Sequence, residues 1–263
     1  MNQHKNTISF KHFLIVIIAF IIGSCSPSGD NSNNDPLRVS IKEKNKIIQD
    51  RYNVAILVMN GVYNTELIAS YDVFQHTQYR ENIKAMNIIT VANTHELIRT
   101  FEGLYIKPDF DYTRDPMPHI DILVVPSAEH HLNEELKDTA MIRWVKDIGD
   151  QAMFITSHCD GTFVLAKAGL LEGVACTTFP GEVKTFKEMF PSLRVYADVT
   201  FVHDKNIITS AGGAKSYDAA LYLIQLLYGK VVADKIARGL VIDWDLNSVK
   251  KVIVHQGNGF STL

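Results

Sequence analysis

The sequence lacks a cluster of basic residues and has only a small excess of acidic charge. Its 26 Lys and Arg side chains are opposed by 29 Asp and Glu, for a formal net charge of -3. No basic stripe with interleaved aromatic residues occurs, so the composition excludes the usual footprint of a nucleic-acid-binding protein. Internal repeats are also absent from the sequence. Small molecules or proteins are therefore the expected partners.

The N-terminal region lacks an apolar run long enough to span a bilayer comfortably. Its run at residues 13–22 has instead the length of a signal-peptide core, and Lys5 and Lys11 precede it. The following Ile-Gly-Ser-Cys, which ends at Cys25, resembles a bacterial lipobox. This resemblance implies that Cys25 is lipidated and becomes the first residue of the mature chain. A transmembrane anchor or an uncleaved signal is the alternative.

A lipidated N-terminus implies a protein that is held at the cell envelope and faces the periplasm. Ser26, directly after the lipidated cysteine, is compatible with sorting to the outer membrane. The residues up to Pro36 have no periodicity and few apolar side chains, which predicts a flexible tether. We therefore expect three parts: a signal peptide at 1–24, the lipidated Cys and tether at 25–52, and a globular domain at 53–263.

The rest of the chain alternates between strand-like and helix-like segments. With 263 residues and 46% hydrophobic content, it can bury the core of one sizeable α/β domain. Strands alternating with helices favour a parallel sheet covered on both faces, with functional sites at the carboxyl ends of the strands. The predicted strands include 54–59, 87–93, 120–126 and 152–157, the predicted helices include 65–75, 132–149 and 161–168, and residues 199–210 predict a hairpin.

Cys159 lies between a predicted strand and a predicted helix that begins at Gly161. The free amides and the positive dipole end of that helix can lower the pKa of the thiol and can hold a developing negative oxygen. The carboxylate of Asp160 opposes thiolate formation if it faces the sulfur. A small, inert core thiol is the other interpretation. A disulfide between Cys159 and Cys176 also stays open, since sequence alone gives no distance between them.

Three blocks in order resemble the ThiJ/PfpI superfamily. They are ILVVP (residues 122–126), TSHCDGTFVLAKAGLLEGVACTTF (156–179) and IITSAGGAKSYDAALYLI (207–224). The resemblance covers about residues 53–240 and is greatest to the branch with isocyanide hydratases and the sensor domains of AraC-type regulators. It implies an α/β flavodoxin-like three-layer sandwich with a mostly parallel sheet, of the class I glutamine amidotransferase type. It also implies a strained nucleophile elbow at Cys159.

The resemblance also implies partners for Cys159. Glu66 matches the acidic residue that follows the first strand in the family, although a plain first-turn Glu favoured by the helix dipole is the alternative. Such a carboxyl group can share a proton with the sulfur or pass one to substrate. The amide of Asp160 and the backbone at Ser127 and Ala128 match the family's oxyanion pocket.

The sequence departs from the family pattern at several positions. Ser127 and Ala128 stand where relatives often have Gly-Gly, and Phe179 replaces a His that many relatives carry after Thr-Thr. A Cys-His type of site is therefore doubtful, and a Cys-plus-acid pair remains. His158 and Asp160 replace Val and Thr. Since neighbours along a strand point to opposite faces, we expect His158 to be buried or to have a secondary role rather than to act on the adjacent sulfur.

Two other positions are weaker candidates. Asp218 matches a helical Asp of the family, and we expect a helix cap or a buried salt bridge there. The side chains of Glu129–His131 can bind metals, but adjacent positions do not give the spacing of a helical zinc pair. We expect neither a metal nor another cofactor.

The leading hypothesis is a lipid-anchored protein in which Cys159, with Glu66, hydrates or hydrolyses a small electrophilic carbon–nitrogen substrate. The alternative is a non-catalytic small-molecule binding or redox-sensing module of the same fold. Transcriptional regulation is not expected, because only about 20 residues follow the last family block, too few for a helix-turn-helix pair. Relatives are commonly dimers, so the resemblance implies a homodimer.

Overall fold

A computed structural model describes residues 47–129, 132 and 134–254. The expected signal peptide, Cys25, most of the tether, His130 and His131 lie outside the described residues. Within the described part, no helix combines the length and the apolar character needed to cross a bilayer. The same residues contain no group of three or more His, Cys, Asp or Glu side chains arranged to hold a metal ion.

The described residues form a central sheet of eight strands, in the spatial order β12-β10-β11-β7-β6-β1-β2-β5. Neighbouring strands are parallel except for β10 and β11, which form an antiparallel hairpin. Two small two-stranded ribbons, β3-β4 and β8-β9, lie outside it. The strands are β1 (Tyr52–Leu57), β2 (Met86–Ala92), β3 (Ile98–Arg99), β4 (Tyr105–Ile106), β5 (Phe110–Asp111), β6 (Ile122–Val125), β7 (Phe154–His158), β8 (Ala175–Cys176), β9 (Arg194–Val195), β10 (Phe201–Asp204), β11 (Ile207–Ser210) and β12 (Lys251–Ile253).

Helices cover both faces of this sheet. Six are described: α1 (Asn64–Gln75), α2 (Thr139–Gly149), α3 (Gly161–Lys167), α4 (Val183–Met189), α5 (Lys215–Tyr228) and α6 (Lys230–Gly239). One buried cluster joins the sheet to α1, α5 and α6, and a second joins its other face to α2, α3 and α4. The arrangement is a three-layer sandwich.

Alternate side chains of a strand point to opposite faces of the sheet, so each strand contributes residues to both buried clusters. In β1, Val54 and Ile56 belong to the first cluster, whereas Ala55 and Leu57 belong to the second. Both faces of such a strand are buried, which is why its sequence is a nearly continuous apolar run. The prediction of a mostly parallel sheet with helices on both faces is confirmed, as is the hairpin.

The predicted helix at 132–149 is wrong at its start. The described helix α2 begins at Thr139, after a short 3-10 turn at Glu135–Lys137. The side chain of Asp138 accepts hydrogen bonds from the amides of Ala140 and Met141 and so caps the helix. The polar segment before Asp138 has helical periodicity, but this local cap sets the boundary.

Candidate active site

Cys159 lies on a sharp turn between strand β7 and helix α3. Its φ angle is 53°, in the left-handed region that side chains other than glycine rarely adopt. Such backbone strain concentrates at functional sites, because the surrounding structure has to enforce it. The position matches the strained elbow that the resemblance implied, at the carboxyl edge of the parallel sheet.

Neighbouring segments hold this turn in place. The Cys159 amide donates to the Ser210 carbonyl oxygen at 3.0 Å, which ties the elbow to the end of β11. The Thr178 hydroxyl lies 3.1 Å from the Cys159 carbonyl oxygen and 3.0 Å from Oδ1 of Asp160. Gly212 has to be glycine, since a Cβ atom there would lie 2.3 Å from Cβ of Cys159. The strained backbone is therefore fixed from two sides.

Glu66 occupies a buried position in the first turn of α1, with 3% of its surface exposed. Its Oε2 accepts hydrogen bonds from the amide and the hydroxyl of Ser127, at 2.8 and 2.7 Å. Its Oε1 accepts one from the Gly213 amide at 3.3 Å. Three hydrogen-bond donors thus fix the position of this carboxyl group. Glu66 is thus a built part of the site and not an exposed first-turn residue.

The surroundings of Cys159 raise the pKa of its thiol well above the ordinary value. Burial is the largest cause, and the negative charges of Glu66 and Asp160 add to it. Hydrogen bonds from the Ser127 side chain and the Asp160 amide act in the opposite direction. The helix N-terminus by itself favours a lower pKa of this thiol, but burial and the two carboxylates outweigh it. The thiol keeps its proton at neutral pH and must lose it when it attacks.

Tyr63 forms an aromatic rim near this site, directly before α1. Its ring lies 4.6 Å from the ring of Phe101, measured between centroids. Burial raises the pKa of the Tyr63 phenol, and the charges of Cys159 and Glu66 raise it further. The phenol therefore lies within electrostatic reach of both groups and stays protonated, as a hydrogen-bond donor.

The expected oxyanion donors differ in their availability. The Ser127 amide is engaged by Glu66, so it can serve an oxyanion only if Glu66 releases it. Ala128 is buried and forms an isolated antiparallel bridge with Val62. The Asp160 amide donates toward the Cys159 sulfur. Of the predicted donors, the Asp160 amide is the one directed at the reacting atom.

His158 is fully buried on the face of β7 that packs against α1. Its Nε2 lies 2.8 Å from the Ser70 hydroxyl, and its Nδ1 lies 2.8 Å from the Ser210 hydroxyl. Burial lowers the pKa of this imidazole from 6.5 to about 3, so the ring is neutral. A neutral ring joins two hydroxyls as one donor and one acceptor. His158 links α1 to the strand end beside Cys159.

The buried His158 makes the protein less stable in acid. The unfolded chain binds a proton at this residue below pH 6.5, whereas the folded protein resists protonation until about pH 3. The contribution of His158 to the free energy of unfolding is thus fully present above pH 6.5. It is lost as the pH falls from 6.5 toward 3. Linkage gives a loss of about 2 kcal/mol in the free energy of unfolding between pH 7 and 5. Urea unfolding at the two pH values measures it.

His158→Gln should remove most of that pH dependence, whatever its effect on stability at pH 7. The exposed His119 provides the matched control, since His119→Gln should keep the wild-type dependence. Equal pH dependence in wild type and His158→Gln would contradict a buried neutral imidazole.

Three further residues singled out in the sequence are Asp218, Phe179 and Cys176. Asp218 is in the first turn of α5, where it pairs with Lys215 at 3.5 Å, and burial raises its pKa. A salt bridge is therefore present, but it is not the buried one that was expected, because the Lys215 side chain is 60% exposed. Phe179 is exposed over 44% of its surface, so it does not take the place of the missing histidine inside the site. Cys176 is buried and, like Cys159, has a free thiol.

A cavity of about 300 Å³ lies at the carboxyl ends of β1 and β2. Its described lining includes Leu57 at the end of β1, Asn93 and Thr94 directly after β2, and the carboxyl groups of residues 134, 135 and 138, but neither cysteine nor histidine. It contains no group that could act as the nucleophile of a covalent reaction of the cysteine type. The candidate site is therefore assigned at the elbow.

Sequence reasoning did not identify the hydroxyl of Ser127, the amide of Gly213 or the phenol of Tyr63 as parts of the site. Ser127 was considered only for its backbone, and the glycine-rich segment 211–213 only for close packing. The sequence does contain a signal for Ser127. Like Cys159, it follows a predicted strand, so its side chain is expected at the carboxyl edge of the sheet, where sites form. No sequence signal relates Gly213 to Glu66, because 147 positions separate them.

A model of the DJ-1/PfpI family matches residues 52–226. Protein dj-1beta of Drosophila melanogaster is 26% identical over 193 residues, which cover 72% of this chain and 97% of that protein. The isonitrile hydratase of Pseudomonas putida is 25% identical over 177 residues, 67% of this chain and 72% of the hydratase. The HTH-type transcriptional regulator CdhR of Pseudomonas aeruginosa is 30% identical over 132 residues, which cover 50% of this chain but only 38% of the regulator.

Solved structures agree on the fold. The crystal structure of a ThiJ/PfpI family protein from Pseudomonas syringae has a TM-score of 0.65 at 22% identity, over 85% of this chain and 84% of that chain. The crystal structure of Drosophila melanogaster DJ-1beta has a TM-score of 0.62 at 22% identity, over 74% of this chain and all of the other. At such identities the likeness establishes the architecture.

Proposed function

The chain belongs to the DJ-1/PfpI family, and on that premise we propose that it adds water to small electrophilic carbon–nitrogen compounds of the isonitrile type, with Cys159 as nucleophile and Glu66 as its acidic partner. The observation that carries the proposal is the pairing of a strained, left-handed cysteine with a buried carboxylate held by three hydrogen-bond donors. The relation to the isonitrile hydratase of Pseudomonas putida supports the choice of substrate class.

The first step forms a covalent intermediate. Because the resting thiol is protonated, its proton passes to Glu66 as Sγ of Cys159 bonds to the terminal carbon of the isonitrile. Glu66 then gives this proton to the same carbon, which produces a thioimidate on Cys159. The Asp160 amide, directed at the sulfur, stabilises the negative charge that develops there.

The second step releases the product. Water adds to the thioimidate carbon, and the nitrogen takes up a proton. The carbon–sulfur bond then breaks, Sγ recovers its proton through Glu66, and an N-substituted formamide leaves. One isonitrile and one water thus give one formamide, with the thiol and the carboxylate restored. The cycle needs no metal or redox partner to balance.

Formamide production by the full chain tests the proposal. The substrates are neutral alkyl isonitriles of increasing size, with the matching nitriles and primary amides as the comparison set. We expect saturable conversion of isonitriles, measured by gas chromatography of the formamide. Conversion of the nitriles or amides alone would contradict the isonitrile class, and no conversion of any compound would contradict catalysis.

A second candidate function is a non-catalytic module that binds a small molecule or senses redox state. The burial of Cys159, 8% exposed, and the raised pKa of its thiol support it, because both slow reactions with electrophiles. Titration with the same isonitriles separates the two candidates. Saturable binding without turnover would favour the module.

The proposal includes a location at the cell envelope, with a lipid on Cys25 as the anchor. Its support is the order of positive, apolar and small residues before that cysteine. Metabolic labelling with a palmitate analogue tests it, since the label should be present in wild type and absent from Cys25→Ser.

A further inference from the structure

Ser127 lies two positions beyond the end of strand β6. It is 1% exposed, and its hydroxyl lies 2.7 Å from Oε2 of Glu66. Its amide donates to the same oxygen at 2.8 Å. The backbone alone thus suffices to hold Glu66, and the hydroxyl is available for a different role.

Ser127 and Cys159 both follow the paired parts of the parallel strands β6 and β7. In the register of β6 and β7, Val125 pairs with Ser157, and each residue of interest lies two positions further along its own strand direction. The start of α3 also packs closely on this segment, since a Cβ atom at Gly161 would lie 2.1 Å from the Val125 carbonyl oxygen. This placement brings both residues to the carboxyl edge of the sheet, where the Ser127 side chain is hydrogen-bonded to the Cys159 thiol.

The hydroxyl lies between the two groups that exchange a proton. Glu66 affects the pKa of the Cys159 thiol through its charge, whereas the Ser127 side chain affects it through a hydrogen bond. A serine hydroxyl has one proton to donate and two lone pairs that accept. It can therefore accept from the thiol while it donates to Glu66.

We propose that Ser127 is a further catalytic residue that relays the thiol proton of Cys159 to Glu66 during attack on the substrate. The S–H bond breaks and its proton bonds to Oγ of Ser127, while the original hydroxyl proton moves to Oε2 of Glu66. The hydroxyl is regenerated, and the net result is one proton transferred from sulfur to carboxylate. This role rests on the proposed function, since it supplies the proton movement of its first step.

Among the described residues, three ionisable groups near the Cys159 thiol affect how its ionisation depends on pH. Glu66 reaches it from α1, and Asp160 from the start of α3, and both disfavour the thiolate. Tyr63 approaches from the segment before α1. Removal of the Ser127 hydroxyl leaves these charges unchanged and removes the hydrogen bond that favours the thiolate.

Alkylation of Cys159 by iodoacetamide, followed by peptide mass spectrometry between pH 6 and 10, tests the contact without any substrate. Ser127→Ala and Ser127→Gly should each react about 10-fold more slowly than wild type at pH 8, because loss of a hydrogen bond to a charged group reduces the thiolate fraction. Ser216→Ala is the matched control, since Ser216 is fully buried and its hydroxyl has no partner among the described residues. Its rate should equal that of wild type.

The dependence of isonitrile turnover on the deuterium content of the solvent tests the relay itself. In wild type the relay moves two protons in one step, so a plot of the turnover rate against deuterium fraction should be curved. In Ser127→Ala only one proton moves, and the plot should be a straight line. Wild-type alkylation rates in both Ser127 variants, or the same curve in Ser127→Ala, would overturn the proposal. Absence of turnover in wild type would contradict the proposed function instead, and the alkylation rates would still decide the role of Ser127.

Discussion

Replacing Cys159 with serine is expected to lower isonitrile turnover by about 10⁴-fold, the size of effect that follows removal of a catalytic nucleophile. A serine hydroxyl holds its proton more tightly than a thiol and is the weaker nucleophile. The protein should still fold, because the hydrogen bond between the amide of residue 159 and the Ser210 carbonyl involves only backbone atoms. Steady-state kinetics, with circular dichroism as the check on folding, measures the effect.

Cys176→Ala is the matched control for the loss of a thiol. Cys176 is also buried and free, and its Sγ lies 3.9 Å from the Arg194 carbonyl oxygen, away from the elbow. We expect its turnover to stay within about twofold of wild type, because its side chain contacts no reacting atom. Equal losses in the two variants would show that turnover reports on packing and not on the nucleophile.

Gly161→Ala is expected to destabilise the fold by about 4 kcal/mol, a large effect for the addition of one methyl group. A Cβ atom at this position would lie 2.1 Å from the Val125 carbonyl oxygen and 2.8 Å from that of Pro126. Both obstacles are backbone atoms at the end of β6, so neither can rotate away. Either α3 or the strand end must move, and each movement separates Cys159 from Ser127. Urea unfolding measures the loss.

Gly169→Ala provides the control for this change. Gly169 has a φ angle of 75°, but a Cβ atom there would meet nothing within 4 Å. Only backbone strain remains, and the expected cost is about 1 kcal/mol. Losses of the same size at both positions would contradict the close approach of α3 to β6.

Much of the fold could be predicted because its signals are local. The buried strands are short apolar runs, and the helices between them have their own periodicity, so the three-layer sandwich follows from the order of the segments. The start of α2 could not be predicted, since Asp138 caps a helix whose pattern continues toward the N-terminus. Helix boundaries depend on individual caps more than on periodicity.

The sequence predicted two members of the candidate site, but not its electrostatics and not the Ser127 hydroxyl, the Gly213 amide or the Tyr63 phenol. Strand-to-helix placement identifies Cys159, and the resemblance adds Glu66. The sign of the pKa shift depends instead on burial and on which charges face the sulfur. The helix N-terminus favours a lower pKa of the thiol, but burial first, and then the charges of Glu66 and Asp160, raise it instead.

The sequence by itself determined the α/β architecture and the place of Cys159 between a strand and a helix, because both depend on residues that are close together along the chain. The strained elbow was implied by the family resemblance. Only the tertiary structure decided that the Ser127 hydroxyl meets Glu66, 61 positions away, and that Gly213 holds the same carboxylate. It also decided that the resting thiol is protonated. These features depend on packing between distant segments, which sets both the distance between charges and their exclusion from water.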